Sequence, residues 1–233
     1  MIELIGVSKH FGGVRAVEEL DLKVEHGQVL GLIGPNGSGK STTLDLIAGQ
    51  RRSSAGRIVL GGRDVSGAPV HERARDGVAR TFQHSRLFSQ LTVRDNLRAA
   101  LAGCPGAPGD VARALRAFDL HHREDDLAAE LSGPERRRLE LARATVSRPR
   151  LILLDEPAAG MDALEIRRLR DWITGLRRAG TAILLVEHVL ELVMAVADRI
   201  AVLDFGRKIA EGVPSEIRND AAVRRAYLGG GAR

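Results

Sequence analysis

Gly34-Pro35-Asn36-Gly37-Ser38-Gly39-Lys40-Ser41 decides the fold. Glycine, four residues, glycine, lysine and serine is the phosphate-loop pattern. Residues 28–33 before it form a near-continuous apolar run, as suits a strand buried on both faces. Residues 42–48 after it continue as a helix. Strand, glycine-rich turn and helix, in that order, are the context the pattern needs. The glycines let the backbone curl so that successive N–H groups point inward as an anion nest. The helix adds the positive end of its dipole. Lys40 then offers a mobile charge to the β- and γ-phosphates of a nucleotide, and Ser41 offers a hydroxyl to Mg²⁺.

A second apolar strand, over 151–154, ends in Asp155-Glu156. Carboxylates there stand at the carboxyl edge of a sheet, where open α/β folds bind ligands. Asp155 is expected to hold Mg²⁺ through water, and Glu156 to orient and deprotonate an attacking water. Gln83 follows a strand over 78–82 and is placed to reach the metal or the water. His188 follows a strand over 181–186 and is placed to touch the γ-phosphate. His71 and the pair His121-His122 have no partners at metal-ligand spacing and read as solvated. With one cysteine and no paired histidines on a helical face, a structural zinc site is not expected.

Further strands are read over 2–7, 20–24, 57–60 and 200–203, and helices over 163–178 and 189–196. Gly206 and Gly212 mark turns, and a helical region follows Pro214. Alternating strands and helices imply an α/β fold, with a parallel sheet covered by helices. From 84 to 148 the chain is rich in alanine, leucine and arginine, with helical spacing at Val111, Leu115 and Phe118 and a loop over 103–109. That block reads as a helical insertion between two strands. Trp172, on the 163–178 helix, reads as a core or interface residue.

The 233 residues allow one domain, or one domain with an insertion. A content of 44% hydrophobic and 28% charged residues excludes a disordered chain. Lys plus Arg (35) against Asp plus Glu (30) leaves +5. Lys9, Lys23, Lys40 and Lys208 are the only lysines, so 35 − 4 = 31 cations are arginines. They are dispersed rather than gathered in a stripe, which speaks against a nucleic-acid partner. The single cysteine, Cys104, excludes an intramolecular disulfide framework and fits a reducing cytosol. The most apolar stretch, 181–203, is interrupted by Glu187, His188, Glu191, Asp198 and Arg199 and does not read as a membrane span. Residues 1–4 lack a basic region followed by an apolar core, so no signal peptide is expected. The expected location is the cytosol, with freedom to dock on a membrane protein.

With these residues in place, the chain resembles the nucleotide-binding subunit of an ATP-binding cassette (ABC) transporter over nearly its whole length. Phe11 sits where that family stacks an aromatic ring on adenine. Gly34 to Ser41 match the Walker A motif, Gln83 the Q-loop, and Leu131-Ser132-Gly133 the start of the signature motif. Asp155-Glu156 match Walker B, Ala159-Gly160-Met161-Asp162 the D-loop, and His188 the switch histidine. The resemblance implies an α/β P-loop NTPase core of the RecA-like kind, with an antiparallel β-subdomain and an inserted α-helical subdomain. On that scheme 1–83 hold the β-subdomain and the phosphate-loop part of the core. Residues 84–148 hold the helical subdomain with the signature, and 149–233 the rest of the core. ATP and Mg²⁺ are the implied cofactors. The implied nucleotide contacts are Phe11, Gly34, Pro35, Asn36, Gly37, Ser38, Gly39, Lys40, Ser41, Thr42, Ser132, Gly133 and Asp162. The implied metal ligands are Ser41, Gln83 and Asp155, and the implied catalytic residues Glu156, His188 and Gln83. The implied partners are a second cassette, identical or different, the permease subunits of the transporter and, indirectly, a solute-binding protein. The implied location is the cytoplasmic face of the cell membrane.

The finer texture is similar to the ATPases of branched-chain amino-acid importers. His10-Phe11-Gly12-Gly13, Arg80-Thr81-Phe82-Gln83, Arg137-Arg138-Leu139-Glu140, Glu156-Pro157-Ala158-Ala159-Gly160-Met161 and Phe205-Gly206-Arg207-Lys208-Ile209-Ala210-Glu211-Gly212 carry that likeness. Cassettes of other transporters (urea, other amino acids, lipopolysaccharide) and soluble ABC ATPases remain as alternatives. One departure stands out. The family signature is typically L-S-G-G-Q, and here it reads Leu131-Ser132-Gly133-Pro134-Glu135. Pro134 removes one backbone N–H, although proline is tolerated in a first helical turn. Ser132 and Glu135 also fit a capping box. The expectation is that this half-site closes less well than a standard one.

Overall fold

Every residue of β3 (Val29–Ile33) is buried, and the strand lies inside a sheet. The computed structural model describes residues 1–81, 87–102 and 111–228. Gln83, Cys104 and the 103–109 loop lie outside those residues. β3 is flanked by β8 (Ala182–Val186) and β9 (Arg199–Asp204), both parallel to it. Beyond β8 come β7 (Leu151–Asp155) and β6 (Val78–Arg80), again parallel. β10 (Arg207–Gly212) closes the other edge, antiparallel to β9. Successive side chains of a strand point to opposite faces. Leu30, Leu32, Leu151, Leu153, Leu184 and Leu203 therefore enter one core, and Val29, Ile33, Ile152, Leu154, Ile183 and Val202 another. Each such side chain contributes about 1.5–3 kcal/mol by leaving water.

The first core is covered by α1 (Lys40–Ile47) and by a four-stranded antiparallel sheet in the order β2-β1-β4-β5. Its strands are β1 (Ile2–Phe11), β2 (Val14–Val24), β4 (Ala55–Leu60) and β5 (Arg63–Asp64). The second core is covered by α5 (Gly133–Thr145), α6 (Ala163–Arg178) and α7 (Leu190–Val196). α3 (Val93–Leu101), α4 (Val111–Ala117) and α5 all fall between β6 and β7 in the chain. Trp172 of α6 is partly buried and meets Phe118 edge-on at 5.5 Å. α8 (Pro214–Asn219) and α9 (Ala221–Leu228) end the described chain.

β10, α2 and the two-residue β5 differ from the reading of the sequence. Residues 207–212, read as turns at Gly206 and Gly212, form β10, with the turn confined to Phe205 and Gly206, both at positive φ. The strand carries charged residues and lacks an alternating pattern; its pairing with β9 and the Lys208–Glu211 and Arg199–Glu211 ion pairs hold it. α2 (Val70–Arg75) was not read at all. Six residues carry no useful period, and α2 is anchored by Arg73. That side chain is 1% exposed and donates to the carbonyl oxygens of Leu46, Ile47, Val65, Ser66 and Ala68. His121 and His122 also differ: Asp119, at φ +54, turns the chain so that one ligand atom from each of the three lies within 4.8 Å of the others. All three are exposed, the two histidines as read, and Arg138 engages the Asp119 carboxylate.

Candidate nucleotide site

Lys40 opens α1 at the carboxyl end of β3 and is 6% exposed. Gly34, Gly37 and Gly39 take φ of +150°, +79° and +103°, which L-residues rarely adopt. A Cβ on Gly34 would stand 2.1 Å from the Leu203 oxygen, and one on Gly39 2.4 Å from the Ala16 oxygen. The loop is thus threaded between β9 and β2 with room for hydrogen only. Gly206 N–H donates to the Ser38 oxygen at 3.0 Å. Lys40 Nζ curls back and donates to the oxygens of Gly34 and Pro35, both at 2.8 Å. Burial holds the Lys40 pKa below the usual lysine value, against Glu156 and Asp155, which pull it upward. The two carboxylates therefore share the electrostatic environment of the loop.

Asp155 ends β7 and is 4% exposed. Its N–H donates to Thr81 Oγ1 at 3.1 Å, and its Oδ2 accepts from Arg80 Nη2 at 3.0 Å. Arg80 also donates to Asp45 of α1 at 2.6 Å, so one guanidinium bridges two acids. Burial raises the Asp155 pKa above the usual aspartate value, with Arg80 acting the other way. Asp155 Oδ1 is buried with no hydrogen-bond partner among the described residues, as is Ser38 Oγ. An unpartnered buried carboxylate oxygen beside a loop of strained glycines fits a divalent cation and an anionic ligand, each supplying what these atoms lack.

Glu156 follows at φ +47, a left-handed backbone that costs a non-glycine residue of order 1–3 kcal/mol. Its N–H donates to the Val186 oxygen at 2.9 Å, and its Oε1 lies 2.9 Å from His188 Nε2. Glu187, 2% exposed, accepts from Ala158 N–H at 2.6 Å and from the N–H groups of His188 and Val189 at 2.8 and 3.1 Å. Arg137 of α5 donates to the oxygens of Glu156 and Pro157 at 2.6 and 3.1 Å.

The fold thus gathers Lys40, Asp155, Glu156 and His188. Phe11 ends β1 and is 39% exposed, with Lys9 Nζ and Arg51 Cζ 5.2 and 5.0 Å from its ring centroid. Ser41 is exposed at the start of α1, with Thr42 half-buried beside it. Ser132 caps α5 and Asp162 caps α6. Among the described residues no hydrogen bond or ion pair joins Ser132, Gly133 or Asp162 to the phosphate loop. Pro134 lies in the first turn of α5. Glu135 folds back, its Oε2 accepting from Ser132 N–H and Oγ–H at 2.8 and 2.7 Å. Arg80, Arg137 and Glu187 escaped the sequence reading as parts of this site. Glu187 had a signal, an acid closing an apolar strand directly before His188.

A glycine-clamped loop at a helix N-terminus, with a buried aspartate oxygen lacking a partner and a glutamate–histidine pair on adjacent strand tips, defines a phosphate-loop nucleotide hydrolase. The chain belongs to the ABC transporter family: residues 17–159 match the family described as ABC transporter. Residues 207–233 match a second, described as branched-chain amino acid ATP-binding cassette transporter. It is 38% identical to the high-affinity branched-chain amino acid transport ATP-binding protein BraF of Pseudomonas aeruginosa, covering 98% of each chain. It is 37% identical to the lipopolysaccharide export system ATP-binding protein LptB of Escherichia coli, covering 96% of this chain and 95% of LptB. The crystal structure of the ADP conformation of an ATP-binding cassette of an ABC transporter superposes with a TM-score of 0.87 at 29% identity, covering 98% of both chains. The protein is therefore an ATP-binding cassette ATPase with an α/β P-loop NTPase fold. No helix among the described residues is long and apolar enough to cross a membrane.

Proposed function

We propose that this chain is the ATP-hydrolysing subunit of an importer for branched-chain amino acids. The observation that supports hydrolysis is the 2.9 Å contact between His188 Nε2 and Glu156 Oε1, in the electrostatic neighbourhood of Lys40. The match of 207–233 to the branched-chain cassettes favours that solute class over lipopolysaccharide export.

Gly34, Pro35, Asn36, Gly37, Ser38 and Gly39 form the cradle for the ATP phosphates, with Lys40 swinging from its own loop carbonyls to the β- and γ-phosphates. Thr42 extends the cradle into the helix, and Phe11 stacks on adenine. Ser41, Asp155 and Gln83 would hold Mg²⁺, which would neutralise phosphate charge. Glu156 accepts the proton of the attacking water. His188 fixes the Glu156 carboxylate and touches the γ-phosphate. Ser132, Gly133 and Asp162 act on nucleotide across an interface with a second cassette. The division at 83/84 and 148/149 sets a helical subdomain between two parts of the core. Nucleotide between two cassettes favours the closed pair and hydrolysis reopens it, a ligand-driven shift of population. Permease subunits in the membrane receive that motion on the cytoplasmic face, with a solute-binding protein delivering the amino acid outside.

Co-purification tests the assembly: a tagged chain is expected to bring down a permease and a second cassette, and the complex to take up leucine, isoleucine or valine in vesicles supplied with ATP. Lys40→Ala is expected to abolish both uptake and nucleotide binding. A permease that moves lipopolysaccharide instead would overturn the solute assignment.

A further inference from the structure

The carbonyl oxygen of Glu156 is held by a different element from its amide. The amide donates to Val186 of β8, whereas the carbonyl accepts from Arg137 of α5 at 2.6 Å. Arg137 also reaches Pro157 O at 3.1 Å and Asp155 O at 3.4 Å, so a single side chain spans three consecutive peptides. Glu140, one turn further along α5, orients it through Nη1 at 2.7 Å. Both side chains are largely buried, at 13% and 9% exposure. Glu156 itself stands at φ +47, a conformation that persists only where its surroundings enforce it. The direction of a side chain follows from its backbone, so whatever holds this peptide also aims the carboxylate at His188.

We propose that Arg137 is a positioning residue for the hydrolytic base: it clamps the Glu156 peptide in its left-handed conformation and ties it to the helix capped by Ser132. The proposal rests on the ATPase reading above and extends it. On that reading the Ser132 end of α5 meets the nucleotide held by the partner cassette, while Glu156 acts on this chain's own nucleotide. A displacement of α5 when the partner's nucleotide arrives reaches Glu156 through five residues of helix and one guanidinium. The clamp makes the aim of one base depend on the occupancy of the other site.

Steady-state ATP hydrolysis and binding of a fluorescent trinitrophenyl ATP analogue, both on the complex co-purified with a tagged chain, test this. Arg137→Met alone leaves Glu140 buried without its partner, so Arg137→Met with Glu140→Gln is the informative variant, and a melting curve shows that it folds. It is expected to lower kcat about 10–100-fold, as a misplaced catalytic group does, with KM and analogue affinity changing less than about twofold. Arg137→Lys, which keeps a donor, is expected to recover part of the loss. In a Glu156→Gln background the same double variant is expected to change the residual turnover less than about twofold, because the group being positioned is gone. Wild-type kcat in the double variant, or equal fold losses in both backgrounds, overturns the proposal. An unmutated complex without turnover strikes at the ATPase reading itself and takes the proposal with it.

Discussion

His188 Nε2 and Glu156 Oε1, 2.9 Å apart, join the tips of two neighbouring parallel strands. The register pairs Asp155 with Val186, so Glu156 stands one residue and His188 two residues beyond the last rung. A shared sheet edge, not a loop contact, fixes their separation. Glu156→Gln is expected to lower turnover about 10²–10⁴-fold, the range for a general base, while ATP binding persists. His188→Ala is expected to fall in the same direction. Phosphate release set against filter binding of labelled ATP separates the two effects, and wild-type turnover in Glu156→Gln would contradict the assigned base.

Two glycines respond oppositely to one added methyl group. At Gly39, φ is +103° and the methyl would meet the Ala16 oxygen at 2.4 Å. Gly175 lies within α6, has ordinary φ and has nothing within 4 Å of its would-be Cβ. Gly39→Ala is expected to destabilise by about 2 kcal/mol or more. Gly175→Ala is expected to stabilise by about 0.5–1 kcal/mol. Urea unfolding midpoints read both signs.

Arg73 is a stability residue rather than a site residue. Its guanidinium satisfies five carbonyl oxygens around α2 at 1% exposure, and burial depresses its pKa. Arg73→Met keeps much of the volume and strands those acceptors. With each buried unsatisfied group costing about 1–3 kcal/mol, a loss of at least about 3 kcal/mol is expected by calorimetry. A melting temperature within a degree or two of wild type would contradict this role.

Glu135 links stability to pH. Its hydrogen bonds from Ser132, aided by Arg123 and Arg138, hold its pKa below the usual 4.5. A depressed carboxylate contributes stability that is fully present above its unfolded value and lost as pH falls through the folded one. Glu135→Gln is thus expected to be about 1 kcal/mol less stable than wild type at pH 7, with the two stabilities converging as pH drops below 4.5. In the assembled complex, Pro134→Gly with Glu135→Gln is expected to raise ATP turnover, as it restores an N–H and removes a negative charge from the first turn of α5. Unchanged turnover would remove the idea that this half-site closes poorly.

The parallel sheet was legible because β3 and β8 are apolar throughout and β7 is apolar up to Asp155, and the candidate site because Gly34 to Ser41 and Asp155-Glu156 sit directly at strand ends. β10 and α2 were not, since neither has a hydrophobic period; one depends on pairing with β9 and the other on Arg73. The dispersed arginines gave no hint that Arg73, Arg80 and Arg137 would be buried at three separate tasks. Their partners are mostly backbone carbonyls or acids distant in sequence, such as Asp45 with Arg80 or Glu156 with Arg137. Such contacts exist only after folding and leave no local pattern.

The clamping of the phosphate loop by the Leu203 oxygen and the Gly206 amide has a thermodynamic consequence. The cradle is preorganised, so an arriving triphosphate forfeits little conformational entropy in shaping it. Affinity for nucleotide therefore becomes a property of the β9–β10 hairpin as well as of the residues that touch ATP, and loosening that adjoining turn should weaken binding through disorder alone.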